Sequence, residues 1–462
     1  MSNHTPSIEA DDGHEDDYGL DKSLSSQVLL ALATEDRDRL VELFEPLHPA
    51  DIADLLEQLG DAQRKELIEL SGPLIDGEVL SEIDEDIRES VIDIMPDAQI
   101  ADAVRKLESD DVVDILEDLD KSQQATILDA LDSTDRLAVE QALAYPEFSA
   151  GRLMQREVIS MPEHWTVGDA IQNLREQVEL PEQFYHVILV DPRHHPIGYV
   201  TLGRLMSSAP DTSLNTLTEP SFRSFRVDED EGNVAYAFNQ YHLISAPVVD
   251  SEGRLSGVIT IDDAMVVLDE EHEEDVLRLA GVGGERLSNS TFRIVKRRFP
   301  WLGVNLFTSI LASLVIAQFE DVLTAVVALA VLMPIVASMG GNAATQSMTV
   351  AVRALATRDL TSSNVLRVIR RESVAGLLNG VLFALVMGIV CYFWFGSALL
   401  GVVIGVAMII NLLVAGFAGV LVPIALDKMG IDPALASGAF VTTVTDVVGF
   451  FAFLGLASVV LL

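Results

Sequence analysis

The chain has a single cysteine, Cys391, in 462 residues, and that residue sits in an apolar run. One thiol excludes an intramolecular disulfide and a cysteine-based metal cluster, and gives no sign of an oxidising compartment. Basic residues are also scarce: 30 Lys and Arg stand against 71 Asp and Glu, a net charge of −41. From residue 291 onward there are 10 basic and 7 acidic residues, which leaves 20 basic and 64 acidic, net −44, on the first 290. Such a field repels nucleic acid and anionic head groups and favours divalent cations, so no nucleic-acid partner is expected. No Walker phosphate loop is present, which argues against an ATP-driven pump, and nothing in the chain marks an enzyme. Gly281-Val282-Gly283-Gly284 follows a helical rather than a strand pattern and reads as a linker, not a dinucleotide turn. The acidic stretch 228–232 lacks Ca2+-loop spacing, because Gly232 is fifth and Asn239 twelfth. Residues 1–21 have neither a basic start nor an apolar core, so no cleavable signal peptide is expected and the acidic half should stay in the cytosol.

What the second half has is apolar length. A membrane-crossing helix needs about 20 residues, and five stretches suffice: 299–319, 322–340, 373–395, 398–425 and 434–460. Lys296, Arg297 and Arg298 precede the first, and Arg353, Arg358, Arg367, Arg370 and Arg371 fill the second connection. The positive-inside rule then puts the N-terminus in the cytoplasm and the C-terminus outside. Asp446 is the only carboxylate within the five stretches as drawn, with no basic residue near it in sequence. An ionised carboxylate at mid-membrane costs about 2.5–3.5 kcal/mol on insertion scales, so it is tolerated where water, a cation or a partner chain faces it. Asp446 therefore reads as a cation site. Asn342 and Thr445 are candidate polar neighbours for the ion, and Gly340-Gly341 would let helices approach closely. Mg2+ suits such a site, since it prefers oxygen ligands and gives up its waters reluctantly.

The acidic half has two textures. Between residues 27 and 145 apolar residues recur at helical spacing, and a short phrase repeats from Asp51, Gln99 and Asp111 at unequal intervals. Stacked helical hairpins forming a small α-superhelix are expected. Past Gly151 come two copies of strand, turn, strand, helix: one pairs 186–191 with 196–201, the other 245–250 with 255–263. This tandem resembles a pair of cystathionine-β-synthase-type (CBS) domains, which commonly bind adenine nucleotides as regulators. Thr260 and Asp263 match the family's ribose-holding Thr and Asp, whereas the first copy has Thr201 but Arg204, so the resemblance implies at most one ATP site. The same two residues equally suit a strand end and a helix cap.

Helices, a CBS pair and five apolar spans together resemble the MgtE family of magnesium channels. Pro334-Ile335-Val336-Ala337-Ser338-Met339-Gly340-Gly341-Asn342-Ala343-Ala344-Thr345-Gln346 is similar to that family's Pro-x5-Gly-Gly-Asn-x-Gly-x-Gln signature, and Asp432-Pro433-Ala434-Leu435 follows where the family has it. Ala344 stands for a usual Gly, and Gly438 for an Asn common before the pore aspartate. The resemblance implies a homodimer in the cell membrane, in contact with lipid, that passes Mg2+ and is closed by cytosolic Mg2+ bound among acidic domains and a plug helix. Carried over by position, the regulatory metal residues are Asp110, Asp111, Asp114, Asp263, Glu271, Glu274 and Asp275, while Val266 replaces one familiar acid. Each of these acids, taken singly, also suits a solvated face. The expected division is an acidic tail at 1–24, helical domain 25–150, CBS copies 151–212 and 213–268, plug or connecting helix 269–292 and pore domain 293–462. The competing readings are an ion-coupled carrier of broader divalent specificity (Co2+, Ni2+), and a non-conducting membrane regulator. With one intramembrane acid, the sequence favours a channel.

Overall fold

The computed structural model describes residues 22–462 apart from 118, 120, 177–179, 182–183, 220–221, 281, 283–290 and 362. The expected acidic tail up to residue 21, and most of the glycine linker after residue 280, lie outside the described residues. The chain divides into two compact units, Met1–Glu270 and Glu271–Leu462.

The first unit opens with short helices: α1 (Lys22–Ala33), α2 (Arg37–Phe44), α3 (Pro49–Gln58), α4 (Asp61–Ser71) and α5 (Gly77–Glu82). They continue as α6 (Glu85–Ile94), α7 (Asp97–Val104), α8 (Ser109–Glu117), α9 (Lys121–Ala130) and α10 (Ser133–Ala142). One apolar cluster runs from Val28 to Ala142 along their inner faces, as the repeated phrase predicts. Helices this short leave their last carbonyls without intrahelical donors, and long side chains from later helices supply them. Arg64 donates to Leu56 and Leu59 at the end of α3, and Arg88 to Ser81 and Ile83 at the end of α5. Gln124 does the same for Leu116 and Leu119 after α8, and Arg152 for Leu143 and Tyr145 after α10. Arg64 and Arg88 are 6% and 4% exposed, so these cationic residues act as internal struts.

The CBS pair follows, with α11 (Ala150–Leu153) leading into β1 (Ser160–Pro162), α12 (Val167–Glu176), β2 (His186–Val190), β3 (Pro196–Thr201) and α13 (Leu202–Ser207). The second copy has β4 (Phe225–Arg226), α14 (Glu231–Tyr241), β5 (Ser245–Val249), β6 (Leu255–Thr260) and α15 (Ile261–Leu279). Each sheet has the order first, second, third, with a parallel then an antiparallel pairing, and His186↔Thr201 answers Ser245↔Thr260 in register. Asp191 and Asp250 close equivalent hairpins by accepting backbone N–H bonds two and four residues on, the turn chemistry of a short acidic side chain. The copies meet through Ile188, Val190, Leu255 and Val258, beside a hydrogen bond between His186 and Ser245.

The second unit begins within α15 and holds α16 (Thr291–Ala317), the short α17 (Glu320–Ala325), α18 (Ala328–Ala356), α19 (Val365–Phe395), α20 (Ala398–Lys428) and α21 (Pro433–Val460). Among the described residues, five helices are long and apolar enough to cross a membrane. α18 does not stop at residue 340 as hydropathy suggested but runs through Pro334 and past the whole signature to Ala356. A proline inside a spanning helix is tolerated when neighbours brace the turn. The most buried of the five is α20, which packs on α18, α19 and α21. Its contact with α19 is a run of small residues: a Cβ on Gly401 would meet the Gly388 carbonyl at 3.0 Å, and one on Gly405 the Ala384 Cβ at 3.3 Å. Two helices with no larger side chain at the crossing can bring their backbones together, which is how apolar helices associate in lipid.

Candidate functional site

In the second unit the two signature glycines face different helices, Gly340 toward α20 and Gly341 toward α21. A Cβ on Gly341 would meet Thr442 Cγ2 at 3.9 Å, and Ala344, Met348 and Val441 share a buried cluster just beyond. Asp446 lies one turn after Thr442 and is half-buried, and among the described residues no basic side chain pairs with it. Asn342 is exposed, its amide Nδ2 donating to Ser338 Oγ at 3.3 Å. Thr445, expected to add a polar atom for the ion, is instead fully buried, and its hydroxyl donates to the Thr442 carbonyl at 2.9 Å. Successive residues on a helix point about 100° apart, so Thr445 is turned away from the face that carries Asp446.

Two membrane-half residues escaped the sequence reading. Glu372 was left outside the third stretch, but α19 begins at Val365 and includes it, so Asp446 is not the only acid in a spanning helix. The Glu372 side chain is 16% exposed, accepts from Ser347 Oγ on α18 at 3.1 Å and pairs with Arg371 at 3.2 Å. Asn411 is the lone polar side chain of 398–425, a signal present in the sequence and passed over. It is 1% exposed, and its Nδ2 donates to the Val336 carbonyl on α18 at 2.9 Å.

In the first unit, the N-terminus of α8 and that of α15 bring acids together. Asp110 has its proton affinity pushed well above the usual carboxylate range by burial, then by the charges of Asp263, Asp111 and Glu108. Burial and Asp263 push Asp111 up to about 7, and burial with Asp262 and Glu108 pushes Asp263 up to about 6 against the lowering effect of its bond to Thr260. Like charges held in a poorly hydrated place favour a proton or a cation. Glu157 and Ser109 tie α8 to the segment entering the CBS pair, through Ser109 Oγ to Glu157 at 2.8 Å and the Arg156 N–H to Ser109 Oγ at 2.8 Å. Hard carboxylate oxygens of this kind suit Mg2+. Among the described residues, no three His, Cys, Asp or Glu side chains converge closely enough to enclose a metal ion. Asp114, expected in the same set, adds its charge to the rise of Asp111 and pairs with Arg88 Nη1 at 2.6 Å.

Thr260 donates its hydroxyl to Asp263 at 2.7 Å, so the expected nucleotide pair is bonded to itself across the first turn of α15. In the first copy Thr201 accepts from the Arg204 N–H, and Arg204 pairs with Glu219 at 3.0 Å. Further along α15, Glu274 pairs with Arg278, which also reaches Asp432 at 3.6 Å. Asp432 caps α21 by accepting from the Ala434 N–H at 2.8 Å, and Pro433 follows at the position where a helix tolerates it. Burial raises the Asp275 carboxyl above its ordinary range despite Arg278 nearby, and Asp432 adds to the rise. Glu271 lies on the same helix, one turn before Asp275, and the exposed Val266 lies two turns before Glu274.

Family models cover both units: the MgtE intracellular N domain at residues 47–148, CBS domains at 150–211 and 220–270, and a divalent cation transporter domain at 333–456. The chain is 32% identical to the magnesium transporter MgtE of Thermus thermophilus over 96% of its own length and 99% of that protein's. The chain belongs to the MgtE family. A further relative, the magnesium transporter MgtE of Enterococcus faecalis, is 35% identical over 69% of the chain and 71% of its own length. The crystal structure of the cytosolic domain of the Mg2+ channel MgtE in complex with ATP matches 53% of the chain and all of that structure, at 29% identity and a TM-score of 0.49. Family membership and five apolar helices make this a multi-pass membrane protein.

Proposed function

We propose that this MgtE-family protein passes Mg2+ across the cell membrane as a homodimeric channel and is closed by cytosolic Mg2+. The observation that carries the conducting role is Asp446: a half-buried carboxylate on the last spanning helix, unpaired with any basic residue described, one turn from the contact of Thr442 with Gly341 of α18. One carboxylate per subunit, doubled by a two-fold axis and joined by Asn342, holds a hydrated Mg2+ without trapping it. Its test is flux: Asp446→Ala, reconstituted as the full chain, should lose Mg2+ transport while remaining folded, and a variant that conducts like the parent would remove this reading.

Regulation is assigned to the acids of the first unit and of α15. Burial and the charges of neighbouring acids raise the proton affinity of Asp110, Asp111 and Asp263, so a divalent cation shared among them relieves repulsion that the cation-free arrangement carries. Glu271, Glu274 and Asp275 extend the set, with Arg278 holding Glu274 in the meantime. This reading keeps 25–150, 151–212, 213–268 and 269–292 as cytoplasmic regulatory parts, 293–462 as the pore, and the C-terminus outside. ATP enters as a regulatory ligand at the second CBS copy, where binding must displace the Thr260–Asp263 bond; calorimetry with Thr260→Val protein tests it. Glu372 bears on the ion-coupled alternative, since coupling usually needs several intramembrane acids. Its pairing with Arg371 and Ser347 marks it as a structural group and leaves the channel reading in front.

A further inference from the structure

The polar residue that the conducting role leaves unexplained is Asn411. Its amide lies against two glycines on two different helices: a Cβ on Gly340 of α18 would collide with Nδ2, and a Cβ on Gly449 of α21 would come within 2.7 Å of it. The amide hydrogen goes to the Val336 carbonyl, while Oδ1 is buried and meets no donor among the described residues. Pro334 lacks the N–H that would bond the Ala330 carbonyl, so the turn of α18 just before it is weakened, and Val336 lies two residues beyond. Asn411 thus ties α20 to α18 directly after that turn.

The location matters because of what lies between the contacts on α21. Thr442 meets Gly341 directly, Gly449 meets Asn411, and Asp446 stands between them along one stretch of helix. We propose that Asn411 is a positioning residue for the ion path: its amide, fitted against Gly340 and Gly449 and bonded to Val336, sets the spacing of α18 and α21 on either side of Asp446. The proposal rests on the reading of Asp446 as the ion-path carboxylate. Packing alone does not account for the amide. A leucine of similar size would leave no polar atom buried, and interhelical hydrogen bonds in membranes contribute modestly to stability. Retention of one donor on one carbonyl is what a fixed helix spacing requires.

The test uses full-length protein in vesicles, with Asn411→Leu, Gly340→Ala, the pair Gly340→Ala with Asn411→Ala, and Asp446→Ala as the control. Asn411→Leu is expected to keep the parent's thermal midpoint but to shift half-saturating Mg2+ upward by roughly tenfold, the equivalent of one interhelical hydrogen bond, and to change the Mg2+ to Co2+ flux ratio. Gly340→Ala alone should lose flux through the collision. Adding Asn411→Ala should restore folding without restoring the Mg2+ half-saturation. Parent-like saturation and ion preference in Asn411→Leu would overturn the assignment, as would a flux loss that only tracks loss of folded protein. If Asp446→Ala stays silent in the same vesicles, the pore reading survives that failure; if Asp446→Ala conducts, the pore reading fails and this inference goes with it.

Discussion

The two units treat carboxylates in opposite ways. In the first, acids are many and some are pressed together, so that Asp110, Asp111 and Asp263 each hold protons more tightly because of burial and of neighbouring carboxylates. In the second, acids beyond α15 are few, and among them Glu372 is engaged with Ser347 and Arg371, and Asp432 with the start of α21 and Arg278. Asp446 departs from that pattern, without a basic partner among the described residues. Crowded carboxylates make an arrangement sensitive to cation concentration, because near neutral pH a bound cation relieves the repulsion. A single carboxylate in an apolar surround makes a place where an ion can pause and leave. On the proposed reading, one kind of side chain serves two ends, set by its density and by what surrounds it.

The largest effect that could break this comparison is at Asp446, where replacement by Ala should take Mg2+ flux to background with the protein still folded. Next is the crowded side. Neutralising Asp263, Glu271, Glu274 and Asp275 together should leave transport intact at low cytosolic Mg2+ and make it persist at millimolar Mg2+, read by patch recording. Closure unchanged from the parent would show that crowding in this chain is unrelated to sensing.

Asp114 sharpens the line between the two uses. Arg88 is nearly buried and bonds the end of α5 as well as Asp114. Arg88→Met should therefore cost about 2–3 kcal/mol in the helical domain, because it leaves buried carbonyls without donors. Asp114 is more than half exposed, so Asp114→Asn should cost less than about 1 kcal/mol. Denaturant melts with and without Mg2+ separate the possibilities: if Asp114 serves only Arg88, Asp114→Asn leaves Mg2+ protection unchanged, whereas a metal-binding Asp114 would weaken it.

The smallest expected effect is on pH. Asp111 and Asp263 titrate at about 7 and about 6 in the folded chain, against an ordinary value of 3.8. Above pH 7 they are ionised in both folded and unfolded states, and the folded state carries the full repulsion. As pH falls from about 7 toward 4, the folded state takes up protons that the unfolded state does not, so stability contributed by these groups rises with falling pH. In chelator, the thermal midpoint of the first unit should climb by a few degrees from pH 7.5 to 5.5, and saturating Mg2+ should flatten the climb. A midpoint that falls over that range would place the dominant titration elsewhere.

Much of the architecture was legible in the sequence because it depends on local pattern. Apolar length marked five spans, helical spacing marked the superhelix, and alternating runs marked the CBS strands close to where β2, β3, β5 and β6 lie. The signature located Gly340 and Gly341, which face α20 and α21. What the pattern missed were partners distant in the chain. Glu372 fell one residue outside a hydropathy boundary, although its bond to Ser347 spans 25 residues. Thr445 was grouped with Asp446 by adjacency, but a helix turns adjacent side chains apart. Asp114 was grouped with Asp110 and Asp111, and Arg88, on another helix, holds it.

The sequence by itself determined the division of charge, the order of domains, the family and the presence of one carboxylate in the last span. Those properties are set by composition and by residues near one another in the chain. Only the tertiary structure decided that Asn411 fits against Gly340 and Gly449, and that Thr445 is buried while Asn342 is open. Each of these depends on the rotation and register of helices and strands packed against one another. A shift of one residue in a helix moves every side chain by about 100°, so no local pattern can supply them.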